Sequence, residues 1–180
     1  IVLTANKATE LCVGEVVRAG HGGTGRLGKL YPIELKPGDT VFTMGYIGER
    51  MEVRAGEFRF VHEQGIWAKV KILDTPCFNF AEITPRLGNV VVRPRDETKT
   101  LSGLLYHANA ENKMSETRLG TVLAVGPGVW NPETGKQVAP QAKPSDGVLF
   151  VRYAGAEVTL NGEKVRIVNE TDIRSFTEDE

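Results

Sequence analysis

The sequence predicts an all-β protein built as two tandem, partly closed barrels. Three observations carry that expectation. Short strand-like runs alternate in side-chain type with period two and are separated by Gly, Pro, Asp and Asn turns, with no sustained helical periodicity. The second half of the chain repeats the first in collinear order. Each half also carries a glycine-started hairpin-like excursion, from Gly20 to Pro32 and from Gly126 to Pro140. Units of several short strands with tight turns suit a compact barrel.

In order, Gly14-Glu15-Val16-Val17 is a short β-type run. It leads into Gly20-His21-Gly22-Gly23-Thr24-Gly25, formally the glycine fingerprint of a dinucleotide site. That site needs a helix after the third glycine to receive the pyrophosphate. Gly28 and Pro32 leave no room for a useful one, so a hairpin tip is expected. Lys36-Pro37-Gly38-Asp39 is a turn in which Pro37 presets φ and Gly38 takes the position that needs positive φ. Val41-Phe42 opens the next strand, Tyr46-Ile47-Gly48 is a turn, and Met51-Glu52-Val53 and Glu57 to Val61 flank a hairpin at Ala55-Gly56. Ile66 to Val70 ends the unit. The pattern then lapses, so the expected division is a first domain over 1–71, a linker over 72–82 and a second domain over 83–180.

The repeat is read residue against residue. Gly14 to Gly20 aligns with Gly120 to Gly126 at an offset of 106, and Lys36 to Val41 aligns with Lys143 to Val148 at 107. Tyr46-Ile47-Gly48 aligns with Tyr153-Ala154-Gly155, Phe58 to Val61 with Val165 to Val168, and Ile66 with Ile173. Between the strand-like runs Asn89 to Arg93 and Gly120 to Val125 lies a long polar stretch, Arg95 to Thr117. It holds one apolar knot, Leu104-Leu105-Tyr106, set off by Gly103. Loops of that length inside a compact domain are functional or disordered. The knot reads either as a hook for a partner's apolar groove or as an ordinary hairpin connection with a few apolar residues.

Bulk properties narrow the function classes. A formal net charge of −1 and 7% aromatic content give little footing for a nucleic-acid-binding barrel, although Trp67, Trp130 and Tyr106 could stack on bases. The cluster Arg86, Arg93, Arg95 is read as a solvated strand face or a subunit contact. Cys12 and Cys77 are too few for a disulfide scaffold, and with His21, His62 and His107 they show no metal-ligand spacing. No apolar run approaches the roughly 20 residues of a membrane-spanning helix. No βαβ pattern supports a dehydrogenase built on a similar barrel, so no enzymatic activity and no cofactor are expected. The alternative to the reading below is a nucleic-acid-binding or other interaction module.

Taken together, Gly103-Leu104-Leu105-Tyr106, Gly120 to Gly128, the Lys143-Pro144-Ser145-Asp146 turn, Tyr153-Ala154-Gly155 and Asn169 to Ile173 closely resemble the GroES-type co-chaperonin family, the lids of ring chaperonins. Two such units in one chain resemble the tandem co-chaperonins of plastids. The resemblance covers about residues 83–176 in the second unit and 1–71 in the first. It implies two GroES-like barrels, each with a mobile loop and a roof hairpin. It also implies that Leu104, Leu105 and Tyr106, after Gly103, dock between two apical-domain helices of a large ring chaperonin. Ile1-Val2-Leu3 falls at the matching place in the first unit. Tyr106 is bulkier than the family's usual aliphatic residue, and Ser102-Gly103 replaces a glycine pair. The first unit lacks an opening strand, so roughly 20 residues upstream of Ile1 are expected, with an unpaired barrel edge in their absence. The family forms sevenfold rings, and two units per chain do not divide into seven. A mixed ring with single-domain GroES-type subunits, or an incompletely matched one, is therefore expected. The location implied is the chloroplast stroma.

Overall fold

The computed structural model describes residues 1–4, 11–24, 28, 30–44, 47–53, 56–74, 79–95 and 117–177. The first half gives β1 (Val2–Thr4), β2 (Leu11–Arg18), β3 (Gly23–Thr24), β4 (Leu30–Tyr31), β5 (Thr40–Met44), β6 (Glu49–Val53), β7 (Gly56–Phe60) and β8 (Ile66–Asp74). The second gives β9 (Asn79–Pro85), β10 (Asn89–Pro94), β11 (Thr117–Val125), β12 (Val129–Trp130), β13 (Gln137–Val138), β14 (Gly147–Val151), β15 (Ala156–Leu160), β16 (Glu163–Asn169) and β17 (Ile173–Thr177). Among the described residues the only helical turns are two short 3-10 turns, Glu63–Gly65 and Glu170–Asp172.

The repeat seen in the sequence is a repeat of topology. The first unit orders its strands β8-β5-β2-β1-β7-β6, and the second orders the matching strands β17-β14-β11-β10-β16-β15. The two form one continuous sheet because β9 pairs antiparallel with β8 and parallel with β15. Turn chemistry repeats as well. Asp39 donates its amide to the Lys36 carbonyl while its carboxylate accepts the Lys36 amide at 2.8 Å. Asp146 and Lys143 make the same pair at 2.8 Å. The third turn position has φ +90° at Gly38 and +79° at Ser145, so the second unit holds a non-glycine residue in a region that costs it energy.

Each unit buries the same stripe of side chains. Val16, Leu35, Val41, Val61 and Ile66 cluster in the first. Val122, Ala142, Val148 and Val168, with Ile173 packed against them, hold the matching positions in the second. Most are inward residues of strands, and Leu35, Val61 and Ala142 come from the segments beside them. A further cluster joins the units: Val13, Phe42, Ala68 and Val70 from the first pack with Phe80, Ile83, Val158 and Val165 from the second. Phe42 and Phe80 meet edge to face with ring centroids 6.0 Å apart.

Two expectations need correction. Much of the expected linker over 72–82 is strand: β8 runs through Asp74 and β9 begins at Asn79, and Val70↔Ile83 and Lys71↔Glu82 face each other across the pair. Its apolar residues looked irregular because β8 and β9 are buried over different stretches. The expected unpaired edge is also absent. β1 fills the slot between β2 and β7, with Val2↔Arg18, Leu3↔Val16 and Val2↔Phe60, Leu3↔Arg59. In the second unit β10 does the same, with Val91↔Ala124, Val92↔Val122 and Val91↔Ile167, Val92↔Arg166. At the repeat offsets these registers are identical, and both ladders shift register at the same step. The physical reason is that a slot with free backbone groups on both sides accepts any short extended segment within reach.

Candidate functional site: the loop frame and the junction between units

The frame of the long loop in the second unit is β10 and β11, paired from Val90↔Val125 to Pro94↔Gly120. Val90, Val91 and Val92 are buried, which fixes β10 by hydrophobic contact on both faces. At the loop's root the Arg95 amide donates to the Leu119 carbonyl at 2.9 Å, and Arg95 Nε donates to Thr121 Oγ1 at 2.9 Å. Gly103, Leu104, Leu105 and Tyr106 themselves lie outside the described residues. β11 runs from that root to the hairpin of β12 and β13, so root and hairpin lie at opposite ends of the strand.

The two hairpins are the excursions expected from the sequence. β3 pairs with β4 and β12 with β13. Each starts at a glycine that no other residue could replace. A Cβ on Gly22 (φ +106°) would lie 1.7 Å from the Tyr31 carbonyl oxygen, and one on Gly128 (φ +101°) would lie 2.0 Å from that of Val138. Tyr31 and Trp130 stack across the units with centroids 5.1 Å apart. Trp130, considered above as a base-stacking residue, is thus committed to a contact within the protein.

In the first unit, Ile1 is half-buried. Its backbone nitrogen donates to the Val61 carbonyl at 3.1 Å, and its own carbonyl accepts the Val61 amide at 2.9 Å. Val2 and Leu3 follow in β1. The structure therefore places Ile1-Val2-Leu3 in a barrel wall and not in a projecting loop.

The polar anchors at the junction were not readable from the amino-acid order. Arg86 is 5% exposed, and its guanidinium donates to Glu63 Oε1 at 2.6 Å across the units. The Arg86 amide and Asn89 Nδ2 both donate to the Trp67 carbonyl, at 2.9 and 3.2 Å. Asn89 Oδ1 accepts from Asn169 Nδ2 at 3.3 Å. Arg86 is thus buried in a contact within the chain and is not part of a solvated face. Among the described residues no cluster of His, Cys, Asp and Glu could hold a metal ion, and no helix is long and apolar enough to cross a membrane.

Fold and frame together define a tandem β-barrel protein in which residues 95 and 117 bracket the 96–116 stretch at one end of the second barrel and a hairpin follows at the other. The chain belongs to the Chaperonin 10 Kd subunit family, which it matches over residues 1–70 and again over 82–176. It is 41% identical over 100 residues to the co-chaperonin GroES of Rhodothermus marinus, covering 55% of this chain and 95% of that protein. It is 36% identical over 92 residues to the co-chaperonin GroES of Gemmatimonas aurantiaca, covering 51% and 91%. Against the co-chaperonin GroES of Bartonella bacilliformis the identity is 40% over 84 residues, covering 47% and 82%. Each relative spans about half of this chain, as expected where one chain carries two units.

Proposed function

We propose that this chain is a co-chaperonin that caps a ring-shaped, ATP-dependent chaperonin and assists folding by closing its chamber. The observation that carries the reading is the double family match laid over two barrels of identical strand order. Leu104, Leu105 and Tyr106, after Gly103, are the docking residues of the second unit. Ile1-Val2-Leu3 is the matching segment of the first, and it can dock only by leaving the slot between β2 and β7.

The energetics suit a reversible lid. Each apolar side chain buried in a partner's groove contributes about 1.5–3 kcal/mol. Ordering a loop costs about 1–2 kcal/mol per residue. A single hook binds weakly, and several hooks on one ring bind by avidity. The chain itself carries out no chemistry in this reading. It assembles with single-domain co-chaperonin subunits in a mixed ring, and its place of action is the chloroplast stroma.

The test is co-sedimentation with a large ring chaperonin, with and without ATP. Leu104→Ser and Leu105→Ser should each weaken ATP-dependent association about tenfold or more, the loss of one buried side chain, and leave the urea midpoint unchanged. Undiminished association in both variants would remove the docking assignment.

A further inference from the structure

Three arginines continue the inward face of the second barrel to one of its ends. Val168 on β16, Val122 on β11 and Phe150 on β14 are buried together inside that barrel. On the same face, two residues away along β16 and β14 and four along β11, stand Arg166, Arg152 and Arg118. Gly120 lies between Val122 and Arg118. A Cβ there would meet the Val92 side chain at 2.4 Å and the Phe150 ring at 3.0 Å, so this row of β11 faces inward. The end concerned is the one bracketed by Arg95 and Thr117, since Thr117 faces Val151, the residue before Arg152.

Arg166 closes this end from across the barrel. Its guanidinium donates to the Arg152 carbonyl. In the sheet, β10 and β11 stand between β16 and β14, a separation of three strand spacings or about 14 Å. That exceeds the reach of an arginine, so the bond spans the barrel interior. Burial lowers the Arg166 pKa, Glu157 opposes that, and the like charge of Arg118 adds to it. The carboxylates at this end have other partners: Glu157 meets Lys164 at 3.4 Å and Glu163 meets Arg93 at 2.8 Å. Arg118 has no counterion among the described residues. The first unit carries one of the three arginines. Arg59 matches Arg166, is 2% exposed and donates to the Ile47 carbonyl at 3.4 Å, while Cys12 and Gly45 stand in the places of Arg118 and Arg152. One arginine therefore suffices to close a barrel end, and the further cations of the second unit serve something else.

Resting on the co-chaperonin reading, we infer that this arginine-lined end of the second barrel is a second contact with the capped ring, in which Arg118 and Arg166 receive a carboxylate from an acidic segment of the chaperonin. The occupant follows from position and charge. Arg118 directly follows Thr117, where β11 begins, so a ring that holds Leu104 and Leu105 is brought to this end of the barrel. Planar guanidiniums take a carboxylate through charge-assisted hydrogen bonds. Such a contact adds encounter rate and salt sensitivity to the apolar burial of the hook. The first unit has no cation at the Arg118 position, so the two units of the chain engage the ring unequally.

The test is ATP-dependent association of the full chain with a large ring chaperonin, measured at rising salt concentration. Arg118→Glu should weaken association about tenfold at low salt and flatten its salt dependence. Arg118→Lys keeps the charge and should retain the salt dependence and most of the affinity. Arg118→Gln removes a charge that repels Arg166, so it should weaken association while the urea midpoint stays level or rises. A lowered midpoint in Arg118→Gln would assign Arg118 to the fold and overturn the inference. Association indifferent to Arg118→Glu at every salt concentration also overturns it, as does a site for free anions, seen as Arg118-dependent binding of inorganic phosphate with chaperonin association unchanged. The capping reading is judged separately. Leu104→Ser should lose affinity and keep the salt dependence; if it weakens association where Arg118→Glu does not, capping stands and the second contact falls.

Discussion

Glu63 and Arg86 show how unequal the two halves of an ion pair are. The Arg86 side chain is 6% exposed and that of Glu63 is 22% exposed. Removing Glu63 leaves a guanidinium with little access to water, whereas removing Arg86 leaves a carboxylate that water can reach. Glu63→Ala should therefore cost about 3 kcal/mol of stability, and Arg86→Leu clearly less, as measured by urea denaturation. Equal losses would show that the pair is solvated in solution. Neither residue could be assigned from sequence, because they lie 23 positions apart on different units and nothing local ties them. By contrast, the strands that carry the buried valines Val16, Val41, Val122 and Val148 were legible, because each lies in a short β-type run matched between the repeats.

At the scale of elements, the turn before β5 is tied to the middle of β8 by Asp39 and Lys69, 2.9 Å apart. Burial works against the charge on Asp39, but the Lys36 amide and the Lys69 ammonium outweigh it and hold the carboxyl below its usual value. A carboxyl lowered on folding stabilises the folded state above its unfolded value, near 3.8, and that contribution is lost as pH falls through the folded value. Lys69→Met should accordingly narrow the gap between the urea midpoints at pH 7 and pH 3, by a small amount because the pair is partly exposed. Turns and hairpins were readable at this scale because Pro37, Gly38 and Gly22 carry their conformations with them. The strand identity of residues 72–74 and 79–82 was not, because each strand exists only through the other. The filling of the first unit's open slot by β1 has the same cause: pairing depends on which segment lies within reach, and Ile1 to Thr4 carries no mark of it.

For the whole molecule, the shared cluster around Phe42 and Phe80 joins the two barrels through one apolar core. Each unit carries one tryptophan, Trp67 in the first and Trp130 in the second, so unfolding can be followed at both. Phe80→Ala opens a cavity in that cluster and should cost about 3–5 kcal/mol. It should lower the midpoint seen at Trp67 as well as at Trp130. A shift confined to Trp130 would show that the units unfold independently.

The all-β class, the two-unit repeat, the hairpins, the turns and the family could all be read from the order of residues. These follow from local conformational preference, from period-two burial and from residues matched one against another along the chain. How the units join emerged with the folded chain: β9 between β8 and β15, Arg86 on Glu63, Tyr31 on Trp130, and β1 in the place of an opening strand. The reason is physical. A strand's partner and a buried charge's counterion are chosen by spatial proximity, and proximity between distant residues exists only once the chain has folded.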